Sequence, residues 1–285
     1  MALGRITSLH RHPVKSLGGE DRSSVFLGAG GIPGDRSWAV RDEQRGGIQG
    51  GKKIPALMDC TAQFLEEPKE GQIPAPEIRL SSGESFLADA ADAASRLGAC
   101  VGREVTIWPL VPAEALDHYR RAAPDDPDLE KELRAIFGRR PDEPLPDLGK
   151  FPPELMQYES PPGTYFDAFP LLLMTTNSLA SMQKAHPESR FDVRRFRPNL
   201  VIDTEDDEPF PELAWAGRRL RIGGAIVRIE MECPRCVMTT HGFSDLPKDP
   251  GIMRALVEET GGNLGAYASI EEPGDVSVGD EVALL

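Results

Sequence analysis

Cys233 and Cys236, in the segment Glu232-Cys233-Pro234-Arg235-Cys236, are the side chains of this sequence with the most chemistry to offer. Two cysteines at this spacing fit four readings: half of a zinc site, a dithiol redox pair, one thiolate bound to some other group, or two reduced cysteines packed in a core. Zinc needs four ligands, and only His241 lies near, since Cys60 and Cys100 are distant and isolated along the chain. A thioredoxin-like pair opens a helix whose dipole lowers the first thiol's pKa, whereas Val237-Met238-Thr239-Thr240 is rich in β-branched residues and strand-like. A thiolate ligand needs a cation to hold it deprotonated and an anchored backbone to aim it. Arg235 and the alternating strand Ala225 to Met231 supply both. Spacing alone leaves the choice open.

The second chemical feature is positive charge in an acidic chain. Val193-Arg194-Arg195-Phe196-Arg197-Pro198-Asn199 gathers three arginines, His12-Pro13-Val14-Lys15-Ser16 ends a strand on a lysine and a hydroxyl, and Gly34-Asp35-Arg36-Ser37-Trp38 sets an arginine behind a glycine-proline turn. Positive islands of this kind suit an anionic ligand, although solvated charges balancing nearby carboxylates would look the same. The glycine-rich stretches match neither a phosphate loop nor a dinucleotide fingerprint.

Short strands punctuated by glycine must position these groups. They are expected over Gly4 to Lys15, Ser23 to Leu27, Ser37 to Arg41, a hairpin of Glu77 to Leu80 with Ser85 to Ala88, and Val105 to Leu110. A short helix, Asp89 to Leu97, ends at Gly98. Residues 113–162 are a proline- and acid-rich connecting insert with one helix, Pro127 to Phe137, and read as a linker. The last third, 163–285, carries a buried strand ending at Thr175, a helix from Ser178 to Ala185 with Asn177 as cap, strands Asn199 to Asp203, Arg218 to Ile222 and Ala225 to Met231, a helix from Asp249 to Gly261, and a terminal hairpin around Gly279-Asp280.

Composition bounds the function. The 285 residues are 40% hydrophobic and 27% charged with a formal net charge of −14, ordinary globular material that lacks the positive field a nucleic-acid or anionic-membrane partner requires. Four cysteines are too few for a disulfide scaffold and point to a reducing cytoplasm. Met1 to Arg5 precede no apolar signal segment, and no run of eighteen apolar residues occurs, so neither export nor a membrane span is expected.

Taken together, "HPVKS" at His12 to Ser16, "GDRSW" at Gly34 to Trp38, "RFRPNLVI" at Arg195 to Ile202 and "CPRCVMTT" at Cys233 to Thr240 resemble the MOSC family, in the two-part form found in the mitochondrial amidoxime reducing component and its bacterial relatives. The resemblance implies a β-rich α+β fold: an N-terminal MOSC β-barrel-like domain over 1–112, then a MOSC β-barrel domain over 163–285 with a few peripheral helices. It implies the molybdenum cofactor, a molybdopterin carrying Mo, bound between the two, and at family level only, pyridoxal phosphate binding. Lys15, Ser16 and Arg36 look like pterin or phosphate contacts from the first part, and Arg197 and Asn199 from the second. Ala168 and Phe169 stand where the family has hydroxyl-bearing contacts, which leaves backbone contacts only. Pro234 and Arg235 border the metal, Cys236 looks like its thiolate ligand and the catalytic residue, and Cys233 has no family role. The implied activity is a molybdenum-dependent oxidoreductase that removes oxygen from a small N-hydroxylated or N-oxygenated compound. Many bacterial relatives continue into a ferredoxin-like domain absent from this sequence, so electrons are expected from a separate protein or reductant. The rival reading is a non-catalytic cofactor carrier, or a sulfur-handling relative of cofactor sulfurase C-terminal domains.

Overall fold

In the computed structural model, which describes residues 2–285, the chain enters on β1 (Ala2–Arg11) and the short strands β2 (Glu20–Arg22) and β3 (Ser24–Leu27). There follow β4 (Trp38–Asp42), β5 (Gly47–Gln49), β6 (Thr61–Gln63), β7 (Glu77–Arg79), β8 (Ser85–Leu87), helix α1 (Ala93–Val101) and β9 (Val105–Pro109). Helices α2 (Leu116–Tyr119) and α3 (Leu129–Phe137) occupy the insert. The remainder runs β10 (Leu171–Thr175), α4 (Thr176–Ala185), β11 (Leu200–Thr204), β12 (Arg219–Ile222), β13 (Ala225–Pro234), α5 (Gly251–Thr260), β14 (Asn263–Glu272), β15 (Gly274–Ser277) and β16 (Glu281–Leu284). The expected β-rich α+β fold with peripheral helices is the one adopted.

Seven strands close a barrel in the order β1-β11-β10-β14-β13-β12-β16 and back to β1. Every pair is antiparallel except β10 with β11, which are parallel and joined through α4. Alternation along the strands, reset within β1 by irregularities at Ala2–Gly4 and Ile6–Ser8, turns Leu3, Ile6, Leu9, Leu173, Leu200, Ile202, Ile229, Ala266, Ala268 and Val282 into one buried cluster. The chain's first strand is therefore a stave of the barrel built by its last third, so the sheets cross the proposed division at residues 112 and 162. A smaller lobe stands beside it. There β5-β4-β9 and β6-β7-β8 form two three-stranded sheets with α1, around Val14, Leu17, Val40, Leu57, Ile78 and Leu97.

Several local expectations change. The terminal hairpin does not form: β15 pairs with β3 in a separate two-stranded sheet, while β16 enters the barrel between β1 and β12. α1 runs through Gly98 and stops at Gly102, whose φ of 68° is the left-handed cap that glycine supplies. α4 is capped by Thr175, which accepts from Ser178 N, and not by Asn177. β14, with its Gly265 bend and mixed small residues, carries no simple alternation and yet lies between β10 and β13. The insert is packed, not a loose linker. Tyr119 and Glu132 are buried, and Arg254 of α5 bonds both Glu143 and the Gly138 carbonyl.

The barrel also buries Glu212 completely, with Thr175 Oγ1 and Ser178 Oγ donating to its carboxyl at 2.7 and 2.6 Å. Burial raises its pKa above the ordinary carboxylate value. A raised acid holds its proton in the folded state where the unfolded chain has lost it. Its contribution is thus complete below the unfolded value of about 4.3 and is lost as pH climbs through the folded one. Glu212→Gln is expected to remove that slope from a series of urea midpoints measured between pH 4 and 8, and an unchanged slope would refute the assignment.

Candidate functional site

Three turns converge where the lobe meets the barrel. Ser16 follows β1, Arg36 precedes β4 and Arg197 precedes β11, and their φ values are 72°, 47° and 57°. Among the described residues only Ser244 shares a left-handed backbone without being glycine. Such conformations cost on the order of 1–3 kcal/mol each and persist only where the surroundings over-determine them. Here the ties are explicit: Arg36 Nη2 donates to Arg197 O at 3.2 Å, Arg36 pairs with the buried Asp35, and Arg197 Nη1 donates to Leu17 O. Arg197 Nη2 is buried without a partner. Burial, then the neighbouring Arg36, pushes the Arg197 guanidinium down to about 9, which still leaves it cationic at neutral pH.

Lys15 is buried, and its Nζ donates to Tyr165 O at 2.8 Å and Asp167 Oδ1 at 2.9 Å. Burial lowers its pKa while Asp167 opposes the shift. Lys52 reaches the same carboxylate at 3.7 Å, and Asp167 followed by Cys236 raises the Lys52 pKa against the cost of burial. Asp167 itself keeps 47% of its side chain exposed. Burial works to raise it, yet Lys15 and Lys52 hold it well below the usual carboxylate range.

Lys52 and Asp167 are thus members of the cluster that sequence reading passed over. The available signal is Gly50-Gly51-Lys52-Lys53, a glycine pair directly before two lysines. Those glycines serve a close backbone approach: a Cβ on Gly50 would lie 2.5 Å from Ser16 Oγ, and one on Gly51 would lie 3.0 Å from the Met238 side chain.

Cys236 is half-buried and caps a single 3₁₀ turn, Val237–Thr240, where a strand was expected. The guanidinium that sequence adjacency assigns to it goes elsewhere. Residues two apart on an extended chain share a face, so Arg235 lies with Cys233, its Nη1 2.9 Å from Cys233 Sγ and its Nη2 2.7 Å from Phe196 O. Cys236 points the other way, and the cations that feel its charge are Lys52 and Arg139, the latter from the insert. Cys233, which lacked a role, is the buried partner of Arg235 and of Tyr267, and burial raises its thiol.

The remaining named residues divide. Ala168 is buried and Phe169 half-buried, directly after Asp167, with the Phe169 ring 5.6 Å from Tyr267. Asn199 spends its side chain on the frame: Oδ1 accepts from Leu172 N at 3.1 Å and Nδ2 donates to His10 O at 3.3 Å. Pro234 pairs with Asn263 and lines a separate groove against Pro144 and Pro146.

This arrangement suits a polyanion that brings its own metal ligands. Among the described residues no three His, Cys, Asp or Glu side chains are placed to hold a metal ion, so the zinc reading has no ligand set. Cys60 and Cys100, isolated in sequence, face each other at 4.0 Å. What the site does offer is one half-buried thiol, an unpartnered buried guanidinium edge and the ammonium groups of Lys15 and Lys52.

The closed barrel beside a smaller β-rich lobe, with a cationic seam between them, sets the frame, and comparison with known proteins gives the family. The MOSC N-terminal beta barrel domain matches residues 3–92 and the MOSC domain residues 161–283. The chain belongs to the MOSC family. It is 26% identical to mitochondrial amidoxime reducing component 2 of Bos taurus, over 98% of this chain and 83% of that one. It is 33% identical to the Homo sapiens protein of the same name, over 41% of this chain and 38% of the relative's length. Among solved structures, the YUAD protein from Bacillus subtilis aligns over 98% of this chain and 93% of its own, with 12% identity and a TM-score of 0.42. No helix among the described residues is long and apolar enough to cross a membrane.

Proposed function

We propose that this protein is a molybdenum-cofactor-dependent oxidoreductase that removes oxygen from small N-hydroxylated or N-oxygenated compounds, with electrons from a separate donor and in a reducing, cytoplasmic setting. The observation that carries the cofactor reading is the convergence of Ser16, Arg36 and Arg197 on left-handed backbones around an unpartnered buried guanidinium edge. Membership of a family with amidoxime-reducing relatives supports the reaction class. When bound, the cofactor supplies a redox-active molybdenum and an acceptor for the oxygen atom.

The chain's own residues bind and orient. Lys15, Arg36 and Arg197 offset phosphate charge, Ser16 offers a hydroxyl at the same wall, and Cys236 contributes one sulfur to the metal. Ala168 and Phe169 line the approach through their backbone. Pro234, Arg235 and Asn199 fix the strand ends behind the site, and no side chain is required as a covalent nucleophile.

Protein produced in a cofactor-competent host should release an oxidised fluorescent pterin on denaturation and reduce an amidoxime when given an artificial electron donor. No pterin in a correctly folded sample would end the proposal, whereas pterin without turnover of any N-hydroxylated compound would favour the carrier reading. Gly50→Ala is a finer test. The added methyl must displace the Ser16 hydroxyl, so pterin content should fall several-fold while the melting temperature hardly moves. Full pterin content would separate Ser16 from the binding wall.

A further inference from the structure

The smaller lobe holds a second cysteine pair that the proposed reaction does not use. Cys60 closes the 3₁₀ turn Pro55–Asp59, Cys100 lies in the last turn of α1, and their Sγ atoms are 4.0 Å apart. Cys60 is fully buried and Cys100 half-buried, with the Ser81 hydroxyl 3.6 Å from its sulfur. The pair is therefore reachable from one side only. Its backbone leads straight to the site: Gly18 N donates to Cys60 O at 2.8 Å and Ala62 N to Gly18 O at 2.9 Å, while the Leu17 carbonyl anchors Arg197.

We propose that Cys60 and Cys100 are an oxidative modification site, forming a reversible disulfide when the protein meets a peroxide-class oxidant and stapling the Lys15-Ser16 loop to α1. The Cys100 thiolate attacks one peroxide oxygen, the O–O bond breaks, and a sulfenic acid and hydroxide result. The Cys60 sulfur then attacks the Cys100 sulfur. The S–O bond breaks, and the departing hydroxide takes the Cys60 proton to leave as water. Two thiols lose two electrons in all, and one peroxide becomes two waters. Burial, with Cys100 beside it, pushes the Cys60 thiol up to about 12, which assigns the encounter with oxidant to Cys100. A disulfide is about 2 Å long, so bond formation requires the sulfurs to close by roughly another 2 Å.

The test uses the intact chain with stoichiometric hydrogen peroxide, followed by non-reducing peptide mapping and thermal unfolding. The expected result is a peptide joining Cys60 to Cys100, a loss of about 2 Da, and a rise of roughly 5–10 °C in Tm that dithiothreitol reverses. Cys100→Ser, at a half-exposed position where folding survives, should abolish both the linked peptide and the rise. Oxidation of Cys100 to a sulfinic acid without a linked peptide, or a Tm rise that persists in Cys100→Ser, overturns the proposal.

Discussion

On the proposed molybdenum-dependent function, Cys236→Ala is expected to fold normally and to lose both molybdenum and amidoxime reduction. The side chain is half-buried and accepts or donates no hydrogen bond that holds the fold, so truncation should stay within about 1 kcal/mol of the parent in a urea titration. With Cys236 as the proposed ligand, the activity loss should exceed the roughly 10–100-fold that removing an outer partner of a metal site costs. Metal content by mass spectrometry and turnover of an amidoxime decide the matter together. Equal molybdenum in parent and variant would sink Cys236 as the ligand. Cys233→Ala should behave in the opposite sense. It empties a buried contact of Arg235 and lowers stability, and any loss of activity should follow loss of folded protein.

The largest effect on stability is expected at Arg195. Its guanidinium is almost wholly buried and donates to the carbonyls of Arg190, Thr239, His241 and Pro247, which pins the turn after Cys236 to the loop before β11. Each buried carbonyl left without a donor costs on the order of 1–3 kcal/mol, so Arg195→Ala should lower stability by about 3–5 kcal/mol. In a chain of this size that is a drop of roughly 6–15 °C in Tm. Arg195→Lys should recover only a minority of the loss, since one ammonium cannot reproduce the planar fork. A Tm within about 2 °C of the parent in Arg195→Ala would show that the loop holds by other means.

The three arginines of one short segment thus do different work, and sequence could not separate them. Arg194 is a surface residue paired with Asp192 and Asp245, Arg195 a structural pin, and Arg197 the unpartnered edge at the seam. Their shared spacing marked a basic island, and only the path of the chain divides it. The strand positions were largely legible because burial imposes alternation, as in β13, whose Val227, Ile229 and Met231 face inward. Pairing was not legible. β16 finds β1 across almost the full length of the sequence, and no local pattern encodes a partner so distant. For the site, motif order pointed to Lys15, Ser16, Arg36, Arg197 and Cys236. Lys52 and Asp167 carry no motif and became visible only when the lobe was laid against the barrel.

β1 gives the barrel an unusual schedule. It pairs with Leu200–Thr204 on one side and Glu281–Leu284 on the other, so a strand synthesised before both waits for partners that follow it at long range. Until then β1 is itself an unpaired strand, open to the strands of another nascent chain. A fragment beginning at residue 113 would keep six of the seven staves and leave β11 and β16 as bare edges. The boundary drawn from the change in composition is therefore a poor place to cut, and the barrel should be expressed with its first strand attached.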